Sequence, residues 1–245
     1  MNGVLEEILS SGFTKTATGN ESLAVHSSIS LPEGQFIHKL VGQLNPTVTL
    51  EVGLAYGISG LFIRDALKVR SGTQHIAIDP NQHGGEWGSD WAGIGMANLR
   101  RAGYGDIVKL IEEPSFRALP ALERAGQKID FAFIDGWHTF DFTLVDFFYI
   151  DRMLNIGGVV AFDDANWPGV RKVCRFVRTN LAYSIHNVER SSDQPKRSLR
   201  RQLSELRHGK LHNIVKDFSL GLKGSCIAFR KEAHDTRPWN HFTEF

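Results

Sequence analysis

The chain has 245 residues, 42% of them hydrophobic, and its 28 Lys and Arg against 27 Asp and Glu leave a net charge of +1. That composition excludes a disordered or supercharged protein, and with no apolar run of about 18 residues no membrane-spanning helix is expected. Two cysteines, Cys174 and Cys226, are too few for a disulfide framework or a zinc ribbon and fit reduced core residues of a cytoplasmic protein; the acidic start (Met1 to Phe13) is not that of a signal peptide.

In chain order, the first 46 residues predict a short helix, a Ser/Thr/Gly-rich loop and a second helix over Glu33–Leu44. This segment is expected to form a lid or dimer arm in front of a domain spanning 47–245. Apolar runs at Thr47–Gly53, His75–Asp79, Ile107–Ile111, Ile129–Asp135 and Gly158–Asp163 read as buried strands. Segments of helical length and periodicity lie between and after them, at Ile58–Arg70, Ile94–Ala102, Phe116–Ala125, Thr139–Leu154 and Val170–Leu181. Strands alternating with helices imply a parallel sheet covered on both faces. Five such units in about 140 residues are too few for an eight-fold barrel, which needs about 250. With two further strands at Tyr183–Val188 and Ser225–Arg230, the expected fold is α/β: a doubly wound, mostly parallel, seven-stranded Rossmann-like sheet.

Between those last strands an insertion at 190–223 carries nine Lys or Arg against three Asp or Glu. It reads as a solvated helical hairpin or as a lid for an anionic substrate. A nucleic-acid surface is disfavoured, because Phe218 is its one aromatic residue and stacking platforms are lacking.

The first strand of the domain ends Leu50-Glu51-Val52-Gly53-Leu54-Ala55-Tyr56-Gly57-Ile58-Ser59-Gly60. A glycine-rich strand-to-helix turn brings backbone and helix N–H groups to a ligand. The spacing G-x-x-x-G departs from the dinucleotide G-x-G-x-x-G, and the turn has no P-loop lysine. The next strand ends at Asp79, placed to accept ribose hydroxyls or to cap a helix. Ser115 opens the helix after the third strand, as a ligand contact or an N-cap. The fourth strand ends Asp135-Gly136-Trp137-His138 and the fifth Asp163-Asp164. Three carboxylates at adjacent strand ends repel one another, and a hard divalent cation such as Mg²⁺ would relieve them. The alternative is that Asp163 and Asp164 cap the helix after Pro168, with His138 capping the helix before it.

These motifs resemble class I S-adenosylmethionine (SAM)-dependent methyltransferases. Over residues 45–188 they are similar to the metal-dependent O-methyltransferases, both the catechol type and a related bacterial group whose fourth strand ends I-D-G-x-H. The resemblance implies that Glu51 and Gly53 lie along the methionine moiety of SAM, with Gly57 completing the turn. Ser59 would meet the methionine carboxylate, Asp79 the ribose, and Ser115 and Trp137 the adenine. Asp135, Asp163 and Asp164 fall on the metal ligands and His138 on the general base. Trp137, where bacterial relatives often carry an acid, and the Asp-Asp pair, where catechol enzymes carry Asp-Asn, are departures.

The expected activity is methyl transfer to a hydroxyl of a small molecule. Rival readings are a methyltransferase for a nitrogen or nucleic-acid acceptor without metal, and a non-catalytic SAM-binding protein. Trp87 and Trp91 are candidates for lining the pocket, and the aromatic helix 139–154 is expected to be core. The N-terminal arm and the aromatic tail around Trp239 suggest a homodimer.

Overall fold

The computed structural model describes residues 2–189 and 211–245, the latter with side chains from 215 onward. The N-terminal segment forms α1 (Gly3–Ser11), a hairpin of β1 (Phe13–Lys15) and β2 (Ser22–Ala24), and α2 (Leu31–Leu44). Then follow β3 (Val48–Val52), α3 (Ile58–Ala66), β4 (Gln74–Ile78), α4 (Ile94–Arg101), β5 (Val108–Ile111), α5 (Ser115–Arg124) and β6 (Ile129–Ile134). The chain continues through α6 (Phe140–Met153), β7 (Leu154–Phe162), α7 (Pro168–Asn180), β8 (Tyr183–Glu189), α8 (Leu211–Ser219) and β9 (Cys226–Lys231).

The large sheet has seven strands in the order β5-β4-β3-β6-β7-β9-β8. The five strands from β5 to β7 are parallel, and β9 runs antiparallel to both its neighbours. This is the expected fold. The chain winds outward from β3 to β5, then returns to place β6 on the other side of β3. That reversal opens a crevice at the carboxyl ends of β3 and β6, where open α/β sheets bind ligands.

Period-two alternation divides the strands between two cores. Leu50 and Val52 point into one, with Ala118, Leu119, Phe147, Ile150, Val173 and Val177 from α5, α6 and α7. Phe131, Phe133 and Ala161 point into the other, against Leu5, Ile37, Leu40, Leu61 and Leu99 from α1 to α4. The N-terminal segment is therefore packed into the second core, with Leu5, Ile37 and Val41 fully buried. Its helix α2 starts on a capping box in which Ser30 and Glu33 exchange hydrogen bonds, with Pro32 in the first turn.

Some boundaries differ from the sequence reading. β7 starts at Leu154 rather than Gly158, and α3 ends at Ala66 rather than Arg70. The β1–β2 hairpin lies in what read as loop, pinned where Thr14 and Asn98 exchange side-chain hydrogen bonds at 2.8 to 3.0 Å. No helix among the described residues is long and apolar enough to cross a membrane. Cys174 and Cys226 are free and buried, and burial pushes the Cys174 thiol up to about 12.

Of the basic insertion, residues 190–210 lie outside the described residues. Its end, α8, is held on α7 by Arg175, whose guanidinium donates to both carboxylate oxygens of Asp217 at 2.6 and 3.0 Å.

Candidate active site

A cleft of about 620 Å³ opens along the carboxyl ends of β3, β4, β6 and β7. One end is built by the turn between β3 and α3. Gly53 takes φ +91°, and a Cβ there would lie 2.1 Å from the carbonyl oxygen of Asp135, so glycine lets the ends of β3 and β6 touch. Gly57 caps α3 at φ +78°.

Asp79 ties this turn to β4. Its Oδ2 accepts from the backbone N–H groups of Leu54 (3.0 Å) and Ala55 (2.7 Å) and from Gln82 Nε2, while Oδ1 accepts from Asn81 N–H. Asp79 thus shapes the turn and also lines the cleft. Gly53, Ser59, Ser115 and Trp137 line it too.

Glu51 and Gly57 are not on the cleft wall, and for Glu51 this departs from a place along the methionine moiety. Strand alternation turns its side chain beneath α3, where it is fully buried. There Oε2 accepts from Ser59 Oγ at 2.7 Å and Oε1 meets His75 Nε2 at 2.8 Å. The Ser59 hydroxyl proton is therefore already given to Glu51. A carboxylate in the cleft would be met by the free N–H groups at the start of α3 instead.

The middle of the cleft is aromatic. Trp87 packs edge-on to Phe116 (5.7 Å between centroids), Phe116 on Phe142 (6.1 Å), and Phe142 on Trp137 (6.1 Å). Trp137 is 55% exposed, an open ring on which a planar ligand could stack. Trp91 also lines the cleft, packed on Tyr56, whose hydroxyl lies 2.8 Å from His26 Nε2. The helix α6 is only partly core: Phe147 is buried, Phe142 faces the cleft and Phe148 is exposed.

The other end is acidic. Asp135 follows β6 and Asp163 and Asp164 follow β7, and His138 stands between two of them. Its Nδ1 lies 3.2 Å from Asp164 Oδ2 and its Nε2 3.4 Å from Asp135 Oδ1. Burial, then the neighbouring acids, push the Asp135 and Asp163 carboxyls well above the usual range. Asp164 is raised by burial too, with His138 pulling the other way.

The capping alternatives are not realised. α7 is capped by Trp167 and α6 by Thr139, neither with a side-chain cap bond, and Pro114 rather than Ser115 precedes α5. Asp164 instead holds φ +47°, an uncommon conformation for a residue with a Cβ and one that recurs at functional sites.

The sequence reading missed Glu33. Its place in the capping box is legible as S-x-x-E, but its approach to the strand ends is not. It lines the cleft, and its charge raises Asp135, Asp163 and Asp164 together. Trp167, 52% exposed and 5.5 Å from the His138 ring, was also missed. No Lys or Arg lines the cleft among the described residues.

For a divalent cation the donor chemistry fits: hard oxygens, mutual repulsion, and an Asp163 Oδ1 that is buried without a hydrogen-bond partner. As they stand, however, no three His, Cys, Asp or Glu residues among those described are placed to hold one ion together.

A family profile described as a methyltransferase domain matches residues 50–165. Caffeoyl-CoA O-methyltransferase of Petroselinum crispum is 30% identical over 169 residues, covering 61% of this chain and 62% of the relative. Caffeoyl-CoA O-methyltransferase 1 of Eucalyptus globulus is 25% identical over 164 residues, covering 61% of each. The match thus spans about three fifths of these relatives' length. Among solved structures, an O-methyltransferase from Bacillus cereus in complex with S-adenosylhomocysteine (SAH) superposes with a TM-score of 0.56 at 21% identity, covering 77% of this chain and 86% of that one. The SAM complex of the O-methyltransferase TomG from Streptomyces achromogenes gives 0.54 at 21%, covering 72% and 76%. At that identity the likeness speaks for the fold. Residues 50–165 thus match a methyltransferase-domain profile, and the chain is similar in sequence to caffeoyl-CoA O-methyltransferases and in fold to solved O-methyltransferases.

Proposed function

We propose that this chain is a SAM-dependent O-methyltransferase acting on a hydroxyl group of a small molecule. One observation carries the reading: a single cleft has the glycine turn and Asp79 at one end and His138 among carboxylates at the other. SAM would lie across the ends of β3 and β4, its adenine toward Ser115 and the open ring of Trp137, its ribose toward Asp79. The first N–H groups of α3 would hold its carboxylate, and the floor at Gly53 would bring backbone close to the methionine chain.

Methyl transfer from a sulfonium is an in-line displacement, so alignment of the acceptor oxygen supplies much of the catalysis. His138 is suited to take the hydroxyl proton. Asp164, at the shorter of its two contacts, would accept from Nδ1–H and so free Nε2 to take the proton of an acceptor hydroxyl entering beside Asp135. Asp135, Asp163 and Asp164 would hold a divalent cation such as Mg²⁺, which lowers the pKa of a bound hydroxyl.

The N-terminal segment acts as the cleft's outer wall, with Ser27, Ile29 and Glu33 on its lining. For an anionic acceptor the described walls supply no Lys or Arg as counter-charge. The exposed tail residues Trp239 and Phe242 fit a homodimer contact, which light scattering would test.

The deciding experiment is calorimetry with SAH, followed by methyl transfer to a panel of hydroxylated acceptors with and without EDTA. Binding and EDTA-sensitive transfer are expected. A chain that does not bind SAH would refute the reading, and transfer indifferent to EDTA would remove the metal from it.

A further inference from the structure

Beneath the glycine turn, away from the cleft, four side chains form one closed hydrogen-bonded row. Thr49 and Glu51 share a face of β3, and Thr49 is the cross-strand partner of His75 on β4. The Thr49 hydroxyl lies 2.9 Å from His75 Nδ1, His75 Nε2 lies 2.8 Å from Glu51 Oε1, and Ser59 Oγ lies 2.7 Å from Glu51 Oε2. Thr49, Glu51 and His75 have no exposed surface at all, and Ser59 is 5% exposed.

The proton positions follow from valence. A carboxylate only accepts, so Ser59 Oγ–H and His75 Nε2–H both donate to Glu51. On the other side of the ring, Nδ1 and the Thr49 hydroxyl share a hydrogen bond, and that hydroxyl also reaches the Gln74 carbonyl oxygen at 3.5 Å. Every buried polar atom in the row is satisfied by another member, and removing one leaves its neighbour unpaired away from water. Helix α3 rests directly on this row: a Cβ at Gly60 would lie 2.8 Å from Glu51 Oε1.

We propose that His75, which does not touch the cleft, is a positioning residue for cofactor binding. By holding Glu51 Oε1 it aims Oε2 at Ser59, and so fixes the first turn of α3 against the place the cofactor occupies. The inference rests on the proposed function, since it concerns affinity for SAM at that same site.

The test is calorimetry of SAH with the full chain and three substitutions. His75→Leu removes both ring nitrogens and is expected to weaken binding roughly tenfold or more, about 1.4 kcal/mol by the affinity relation. His75→Gln keeps an amide donor near the Nε2 position and is expected to restore most of the affinity. In turnover, KM for SAM should rise in His75→Leu while the acceptor KM stays put. The loss in a His75→Leu/Ser59→Ala double variant should fall well short of the sum of the two single losses, because both act through the same bond.

The proposal is overturned if folded His75→Leu binds SAH as the wild type does, or if the two losses add. Should His75→Leu not fold, Glu51→Gln decides: it keeps size and breaks the donor pattern, and wild-type affinity in that variant also overturns the proposal. A wild-type chain that does not bind SAH refutes the functional reading itself, a result separate from equal binding by wild type and variants.

Discussion

Asp146→Asn isolates the cost of one buried charge. Asp146 lies on α6 and is 1% exposed, and one of its carboxyl oxygens has no hydrogen-bond partner. The Ser115 hydroxyl favours the charged form but is outweighed by burial, so the carboxyl is pushed up to about 6. Against an ordinary value of 3.8, the shift of about two units corresponds to about 3 kcal/mol. The sign follows from proton linkage. Between the two values the folded chain keeps the proton and the unfolded chain has lost it, so stability is greatest below about 3.8 and falls as pH rises through about 6. About 2 kcal/mol of that loss falls between about pH 4.5 and about pH 7.5. Urea denaturation of both chains across that range is the assay. The amide of Asp146→Asn cannot ionise, so the variant's stability relative to wild type should improve by about 2 kcal/mol from the acid to the neutral end. A difference that stays constant with pH would show that Asp146 is not held neutral by its surroundings.

Three further outcomes are expected. Gly53→Ala places a methyl 2.1 Å from the Asp135 carbonyl at φ +91°; the conformation alone costs about 1–2 kcal/mol, and both the melting temperature and SAH binding should drop. Trp137→Ala should weaken SAH binding by about 1–3 kcal/mol if the open ring stacks on adenine, with little change in melting temperature because the side chain is 55% exposed. Mg²⁺ at about 100 times its Kd should stabilise the folded chain by about 2.7 kcal/mol, and Asp163→Asn should abolish that gain in a thermal melt.

The sheet and the clustering of acids at one end of the cleft were legible because local signals set them. Buried parallel strands read as continuous apolar runs, and polar residues immediately after such runs, as at Asp135 and Asp163, stand at the sheet's ligand-binding edge. Glu51 was misplaced because its motif position outweighed its strand parity: with Leu50 and Val52 in one core, Glu51 has to face the other. Glu33 and Trp167 were not legible. Glu33 reaches the strand ends only because α2 packs on α3, where Gly34 lies against Phe62, and no local pattern encodes that long-range contact. The β1–β2 hairpin was missed for a similar reason, its strands being three residues each and Ala24 and Phe13 exposed on a flank with no apolar alternation.

The acidic side chains on the cleft wall bear on turnover as much as on recognition. Under the proposed reaction the cofactor enters with a positive sulfur and leaves with a neutral one. Walls that carry Glu33, Asp135, Asp163 and Asp164 and no described Lys or Arg attract the first species more than the second. That attraction would be used up in the act of methyl transfer, so the same carboxylates that draw in a fresh cofactor would loosen their hold on the spent one.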